Sequence, residues 1–206
     1  FLESGAGTQT VNAGTVSLVG GAGGNFNVAV IGTGTSGLTQ FVTTTGNLGL
    51  QAGGGIDNSA MVGGFESNAN STINVGGSLT LTGGNGSVGL YGTHAVVGAV
   101  NGAANLAVNV QGSVSLSKGA TGDALIGSTN AGVGTVSVNA GLGGPSSIVV
   151  DGGRLLTGGN ATLTTSGSVS VQDGSVSVGG TLDVAFGTAG ASSFTIQAVS
   201  STSQVS

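Results

Sequence analysis

One pattern recurs along this chain and limits what it can fold into. A short alternating pair, Val16-Ser17-Leu18, returns as Leu48-Gly49-Leu50, Leu79-Thr80-Leu81 and Val114-Ser115-Leu116. The steps are 32, 31 and 35 residues by subtraction of the residue numbers. A second alternating stretch precedes each pair: Thr10-Val11, Phe41-Val42, Ile73-Asn74-Val75, Val108-Asn109-Val110, then Val136-Ser137-Val138. A third anchor, an aliphatic or aromatic residue before glycine, follows each: Ile31-Gly32, Val62-Gly63, Tyr91-Gly92 and Ile126-Gly127. Three anchors in constant order at a near-constant period define a repeat architecture.

Alternation of Val, Leu and Ile with Ser and Thr is the pattern of a half-buried strand, and Gly, Asn and Asp between the runs are turn residues. No stretch carries the 3.6-residue period of an amphipathic helix. Short strands with tight turns could close as hairpins in a sandwich or barrel, or each repeat could form one coil of a parallel β-helix. The constant order favours the coil, because each strand must then sit on its predecessor about 4.8 Å away. The reading is an all-β, three-sided parallel β-solenoid of about six coils of roughly 31 residues, in which no coil is stable without its neighbours. Farther along, "SVSVQDGSVSVGGTLDV" (168–184) packs three strands into a tighter spacing.

The predicted inward, stacking side chains are Ile73, Val75, Leu79, Leu81, Val88, Leu90, Val114, Leu116 and Ile126. The predicted corner glycines are Gly32, Gly63, Gly76, Gly77, Gly83, Gly84, Gly92 and Gly127. Glycine suits a corner because it accepts positive φ and lets stacked turns approach closely.

Composition narrows function. The chain holds 206 residues with 45 Gly, no Cys, two basic and seven acidic residues, and a formal net charge of −5. That length suits a single domain over 1–206, with 1–10 and 192–206 as terminal strands or tails that contact neighbouring subunits. Two cations cannot neutralise a nucleic-acid backbone or form a polybasic membrane patch. No apolar run reaches transmembrane length, and 3% aromatic residues are too few for the aromatic girdles of a membrane barrel. Without cysteine there is neither a disulfide framework nor a thiolate metal site. Charges of one sign would repel when stacked coil on coil, which fits their scarcity.

Motifs that suggest chemistry have plainer readings. "GTGTSG" (Gly32–Gly37) matches a dinucleotide fingerprint, but "LTQFVTTTGNLGL" follows it and reads as strand, where the fingerprint needs a helix. His94, the one histidine, has no carboxylate nearby in sequence and reads as a solvent-facing loop residue. Among the acids, Asp123, Asp151 and Asp183 could be gathered by folding as in a carbohydrate-cleaving site. Asp151 with Arg154, and Lys118 with Asp123, read as surface pairs worth under about 1 kcal/mol. "GGGID" (53–57) occurs once, whereas calcium-binding glycine repeats work as arrays. Asn70, Asn85 and Asn160 sit in N-x-S/T triplets that a chain of this composition produces by chance. The expectation is no enzyme, no cofactor and no metal.

"INVGGSLTLTGGNGSVGLYG", "LAVNVQGSVSLSKGATGDALIG" and "TVSLVGGAGGNFNVAVIG" resemble coils of filamentous-haemagglutinin-type proteins, the large bacterial surface or secreted adhesins of two-partner secretion. The resemblance covers residues 8–134 clearly and 135–190 loosely. It implies a right-handed β-helix shaft and an extracellular, cell-surface setting. The family's "NPNL" or "NPNG" secretion signature and an "RGD" tripeptide do not occur in these residues.

These readings converge on a structural protein: a subunit of a self-assembling surface filament, or a shaft segment of an adhesin. Open strand edges at solenoid ends invite pairing with another chain, and head-to-tail contacts of that kind give open filaments. The expected partner is a second copy, by end-to-end stacking or strand addition. The alternative is a module that binds glycan, a cell surface or ice; "TLT" at 80–82 and 162–164 is out of step for an ice-binding ladder.

Overall fold

The computed structural model describes residues 2–205, apart from 4, 6, 35–36, 66–67, 88–91, 131, 188–191 and 198–203. Among the described residues every named element is a strand, and the chain winds as a parallel β-solenoid with three sheets. We name the sheets B, C and A in the order the chain visits them.

The first coil comprises Gly7–Ala13, Val16–Val19 and Ala29–Thr33, with Leu2–Glu3 added to sheet A before it. Coil 2 is Leu38–Thr44, Leu48–Gln51 and Ala60–Phe65; coil 3 is Ala69–Val75, Leu79–Thr82 and Ala95–Val100. Coil 4 is Ala104–Val110, Val114–Ser117 and Ala124–Ser128; coil 5 is Val136–Ala140, Ile148–Asp151 and Arg154–Thr157. Coil 6 is Ala161–Thr165, Val169–Gln172 and Ser175–Val178, and coil 7 is Leu182–Phe186, Phe194–Gln197 and Gln204–Val205. Sheets B and C hold seven strands each and sheet A eight, each strand parallel to the equivalent strand of the adjacent coil.

The predicted register of sheet C is observed: Val16 pairs with Leu48, Leu48 with Leu79, and Leu79 with Val114. The coil is not constant in length. In sheet B the residue-number difference between partners runs 31, 31, 35, 30, 25 and 21. Most of this change lies in the corner from sheet C to sheet A. That corner spans 20–28, 52–59, 83–94 and 118–123 in the first four coils, then only 152–153 and 173–174. The three strands "SVSVQDGSVSVGGTLDV" predicts are there, two in the 21-residue coil 6 and the third, Leu182–Phe186, opening coil 7.

Side chains alternate across each strand, so inward residues stack into columns. Leu48, Leu79, Val114, Ile148 and Val169 form one column, and Leu50, Leu81, Leu116, Val150 and Val171 another; all are 0–2% exposed. Of the predicted inward residues, Ile73, Val75, Leu79, Leu81, Val114, Leu116 and Ile126 all belong to this core. Val88 and Leu90 lie outside the described residues. Fully burying each aliphatic side chain contributes about 1.5–3 kcal/mol.

Corners are fastened by side chains that accept the N–H of the next coil. Asn47 Oδ1 accepts from Ser78 N (2.9 Å), Ser78 Oγ from Ser113 N (3.3 Å), and Ser113 Oγ from Ser147 N (3.1 Å). Asn85 and Asn160, read above as chance glycosylation triplets, do the same for Ala120 N and Thr181 N. These bonds satisfy turn N–H groups that the sheet ladders do not reach.

Three sequence readings need correction. Gly76 and Gly77 do occupy the corner between Ala69–Val75 and Leu79–Thr82, Gly83 and Gly84 begin the next corner, and Gly92 sits in a turn at φ +73. But Gly32, Gly63 and Gly127 lie within sheet A strands, not corners. They stack with Gly98 in one column, and Gly63, Gly98 and Gly127 take φ of +137, +140 and +121. A Cβ at Gly63 would fall on the carbonyl oxygen of Gly98, and one at Gly98 on that of Gly127. The third anchor of coil 3 is therefore Val97-Gly98, not Tyr91-Gly92; Tyr91 is outside the described residues. Similarly Val138-Asn139-Ala140, not Val136-Ser137-Val138, lies in register with Val108-Asn109-Val110. The two-residue shift leaves the same side chains facing inward.

Candidate functional site

Three features can carry function: the outer faces, a polar cluster at the C-to-A corner, and the two ends. The outer face of sheet B is mostly hydroxyls and amides, interrupted by the exposed Phe41 and by Asp183. Asn74, Asn109 and Asn139 form a ladder, Asn109 Nδ2 donating to Asn74 Oδ1 (3.0 Å) and Asn139 Nδ2 to Asn109 Oδ1 (2.9 Å). Each of these bonds ties one coil to the next. The two "TLT" runs sit on different faces, Leu79–Thr82 on sheet C and Ala161–Thr165 on sheet B, so they build no common ladder.

Sheet A differs, because its outer face is also buried. Val30, Met61, Val96, Val100, Leu125 and Leu156 form a second core, with Val28 and Phe65 packed against it. Met61 and Val96 are fully buried. The signal for this was legible: "AMVGGF" and "AVVGAV" are continuous apolar runs, the mark of a strand covered on both faces. The outer column Val30, Met61, Val96, Leu125 changes to Arg154 and Ser175. That change falls where the corner shrinks to two residues.

The entrance to sheet A gathers polar groups that are far apart in sequence. Asp57, fully buried at φ +54, accepts from Gly92 N through Oδ1 (2.6 Å). Ser59 Oγ donates to Gly92 O (2.9 Å) and accepts from His94 N (3.3 Å). His94 Nδ1 accepts from Asp123 N (3.0 Å), and Asp123 Oδ2 pairs with Arg154 Nη1 at 3.2 Å. A polar spine thus links coils 2 to 5. His94 is half-buried and bonded, not the solvent-facing loop residue its isolation in sequence suggested. Because Nδ1 accepts, the neutral ring carries its proton on Nε2. Burial pushes the imidazole below its ordinary value; Asp123 opposes this, Arg154 adds to it, and Asp57 opposes it.

The carboxylates raised as a possible catalytic group are not gathered. Asp123 is at the corner entering sheet A, Asp151 ends a sheet C strand, and Asp183 is on sheet B. Arg154 pairs with Asp123, not Asp151. Of "GTGTSG", Gly32 and Thr33 end a sheet A strand, residues 35–36 lie outside the described residues, and a sheet B strand, not a helix, begins at Leu38. Among the described residues no group of three or more His, Asp or Glu side chains could hold a metal ion, and no helix is long and apolar enough to cross a membrane.

At both ends the inner columns reach solvent. Phe194 and Ile196 continue the columns of Val169 and Val171, yet are 41% and 48% exposed. At the opposite end Leu2, above Ile31, is 49% exposed, and Val16 and Leu18 are half-buried.

These features define a parallel β-solenoid with a continuous stacked interior. Compared with protein-family models, with curated proteins and with solved structures, the chain finds no match.

Proposed function

We propose that this chain is a structural rod: a segment of an extracellular, cell-surface filament or of an adhesin shaft of the filamentous-haemagglutinin type, continued end to end by further coils. The observation that carries this reading is the exposure of Phe194 and Ile196, inner-column side chains whose partners one coil below are fully buried. Covering each would contribute about 1.5–3 kcal/mol, and the parallel edge strands beside them offer unpaired backbone groups. The added coils come either from a second copy or from more of the same polypeptide. Hydroxyl and amide ladders, in place of charges, let outer faces repeat along the rod without like-charge repulsion.

Electron microscopy of concentrated protein tests the reading. Uniform unbranched fibres, shortened or abolished by Ile196→Asp, are expected if copies stack end to end. Strictly monodisperse short rods would remove self-assembly and leave the shaft segment. Polysaccharide turnover that disappears in Asp123→Asn would overturn the structural reading itself.

A further inference from the structure

The chain has nine charged residues, two basic and seven acidic. Four of them, Lys118, Asp123, Arg154 and Asp173, line one open groove on the C-to-A corner. Both basic residues of the protein are among them. A second groove shares Lys118 with it and is lined by Val19, Ala22, Gln51, Thr82, Asn85 and the backbone of Gly53. Together they follow the corner across coils 1 to 6, about 24 Å at 4.8 Å per step.

The floor is held bare by packing. A Cβ at Gly53 would fall on Gly21 O, one at Gly83 on Gly122 O, and one at Gly119 on Gly84 O. The trough therefore shows peptide groups, a hydroxyl and amides beside the apolar Val19, Ala22 and Ala52, with charged side chains at the end where the corner contracts. Among the described residues no carboxylate lies within 4.0 Å of the Lys118 ammonium, while Arg154 and Asp123 hold each other at 3.2 Å.

We infer that this groove binds a linear, neutral, hydroxyl-rich polymer, a polysaccharide laid along the rod axis. An elongated open trough suits a chain, not a compact ligand, and a lining that sets apolar side chains beside hydrogen-bonding groups suits sugar rings, which present both C–H faces and hydroxyls. Cations that donate and carboxylates that accept make the stronger, charge-assisted bonds to hydroxyl groups. The balance of two positive and two negative groups, in a chain of net charge −5, disfavours a polyanion. The inference stands apart from the filament reading, since a rod that does not self-assemble carries the same groove.

Affinity gel electrophoresis of the intact chain tests it, with hydroxyethylcellulose, laminarin, arabinoxylan and, as the charged arm, polygalacturonate in the gel. Retardation by at least one neutral polymer is expected. Lys118→Gln and Asp173→Asn should each weaken it about tenfold, the loss of one charged hydrogen bond. Thr72→Ala, on sheet B, should leave it unchanged, and equal urea midpoints would show that the variants are folded. Retardation by none of the neutral polymers, by polygalacturonate alone, or undiminished from that of the unaltered chain in both groove variants would overturn the inference.

Discussion

Coils 1 to 4 and coil 6 solve the same problem with different amounts of chain. The early coils step by 30–35 residues in sheet B, and the step from coil 6 to coil 7 is 21. The two inner columns of sheet C are alike in both, so the surplus residues are not needed to build them. Most of them lie at the C-to-A corner, and with them come a buried outer face on sheet A, a glycine column within its strands and the polar spine from Asp57 to Arg154. In coil 6 the strand Ser175–Val178 does without all of these. A β-solenoid thus needs little more than three strands and three tight turns per coil. Everything beyond that is an addition to the frame.

The sharpest way to break this comparison is to place the same side chain on the glycine column at two levels. Gly98→Val would drive a Cβ into the Gly127 carbonyl and leaves a β-branched residue at φ +140. A loss above about 4 kcal/mol is expected, a large part of a domain's stability. Ser177→Val, on the same column two coils beyond Gly127, should change stability by about 1 kcal/mol or less. Urea denaturation reads both, and equal effects would refute the distinction.

The covered outer face gives the next largest contrast. Met61→Ala opens a cavity in a fully buried site and should cost about 2–5 kcal/mol. Ser175→Ala, on the corresponding column of coil 6, should stay within about 0.5 kcal/mol. A small effect at Met61 would mean that the outer cluster does not pack as a second core.

Inside the first coils a polar ladder replaces part of the core. Gln40 Nε2 donates to Gln9 Oε1 (2.7 Å) and to Ile31 O (3.0 Å), and Gln40 Oε1 accepts from Ser71 Oγ (3.1 Å). The same column carries Leu106 in coil 4. Gln40→Ala leaves buried polar partners unpaired and should lower stability by about 1–3 kcal/mol; thermal unfolding that does not shift would argue against the ladder.

The smallest effect is a pH dependence confined to the polar spine. The folded state holds the His94 imidazole below its ordinary value, so it favours the neutral ring. Stability from this group is fully present above about pH 6.5, the unfolded value, and is lost as pH falls through the folded value. Protonation also removes the Nδ1 acceptor used by Asp123 N. His94→Asn, whose Oδ1 can accept the same N–H, should flatten the difference between unfolding midpoints at pH 8 and pH 5. An unchanged slope in that variant would assign the acid sensitivity to the carboxylates instead.

Residue order alone is enough to specify the coil. Alternation with period two sets which side chains face inward, and a 31-residue return in constant order requires stacking. Both are local properties of the chain, so the inward places of Leu79, Leu81, Val114 and Leu116 follow from residue order alone. The tertiary structure alone decided which glycines are corners and which lie in strands, because a Gly after an aliphatic residue reads the same in either place. It alone brought His94 between Asp57 and Asp123, residues 37 and 29 positions away. Corner length changes from coil to coil without disturbing the inward pattern. Vertical register outside the core is therefore invisible in spacing and appears only when the coils are stacked.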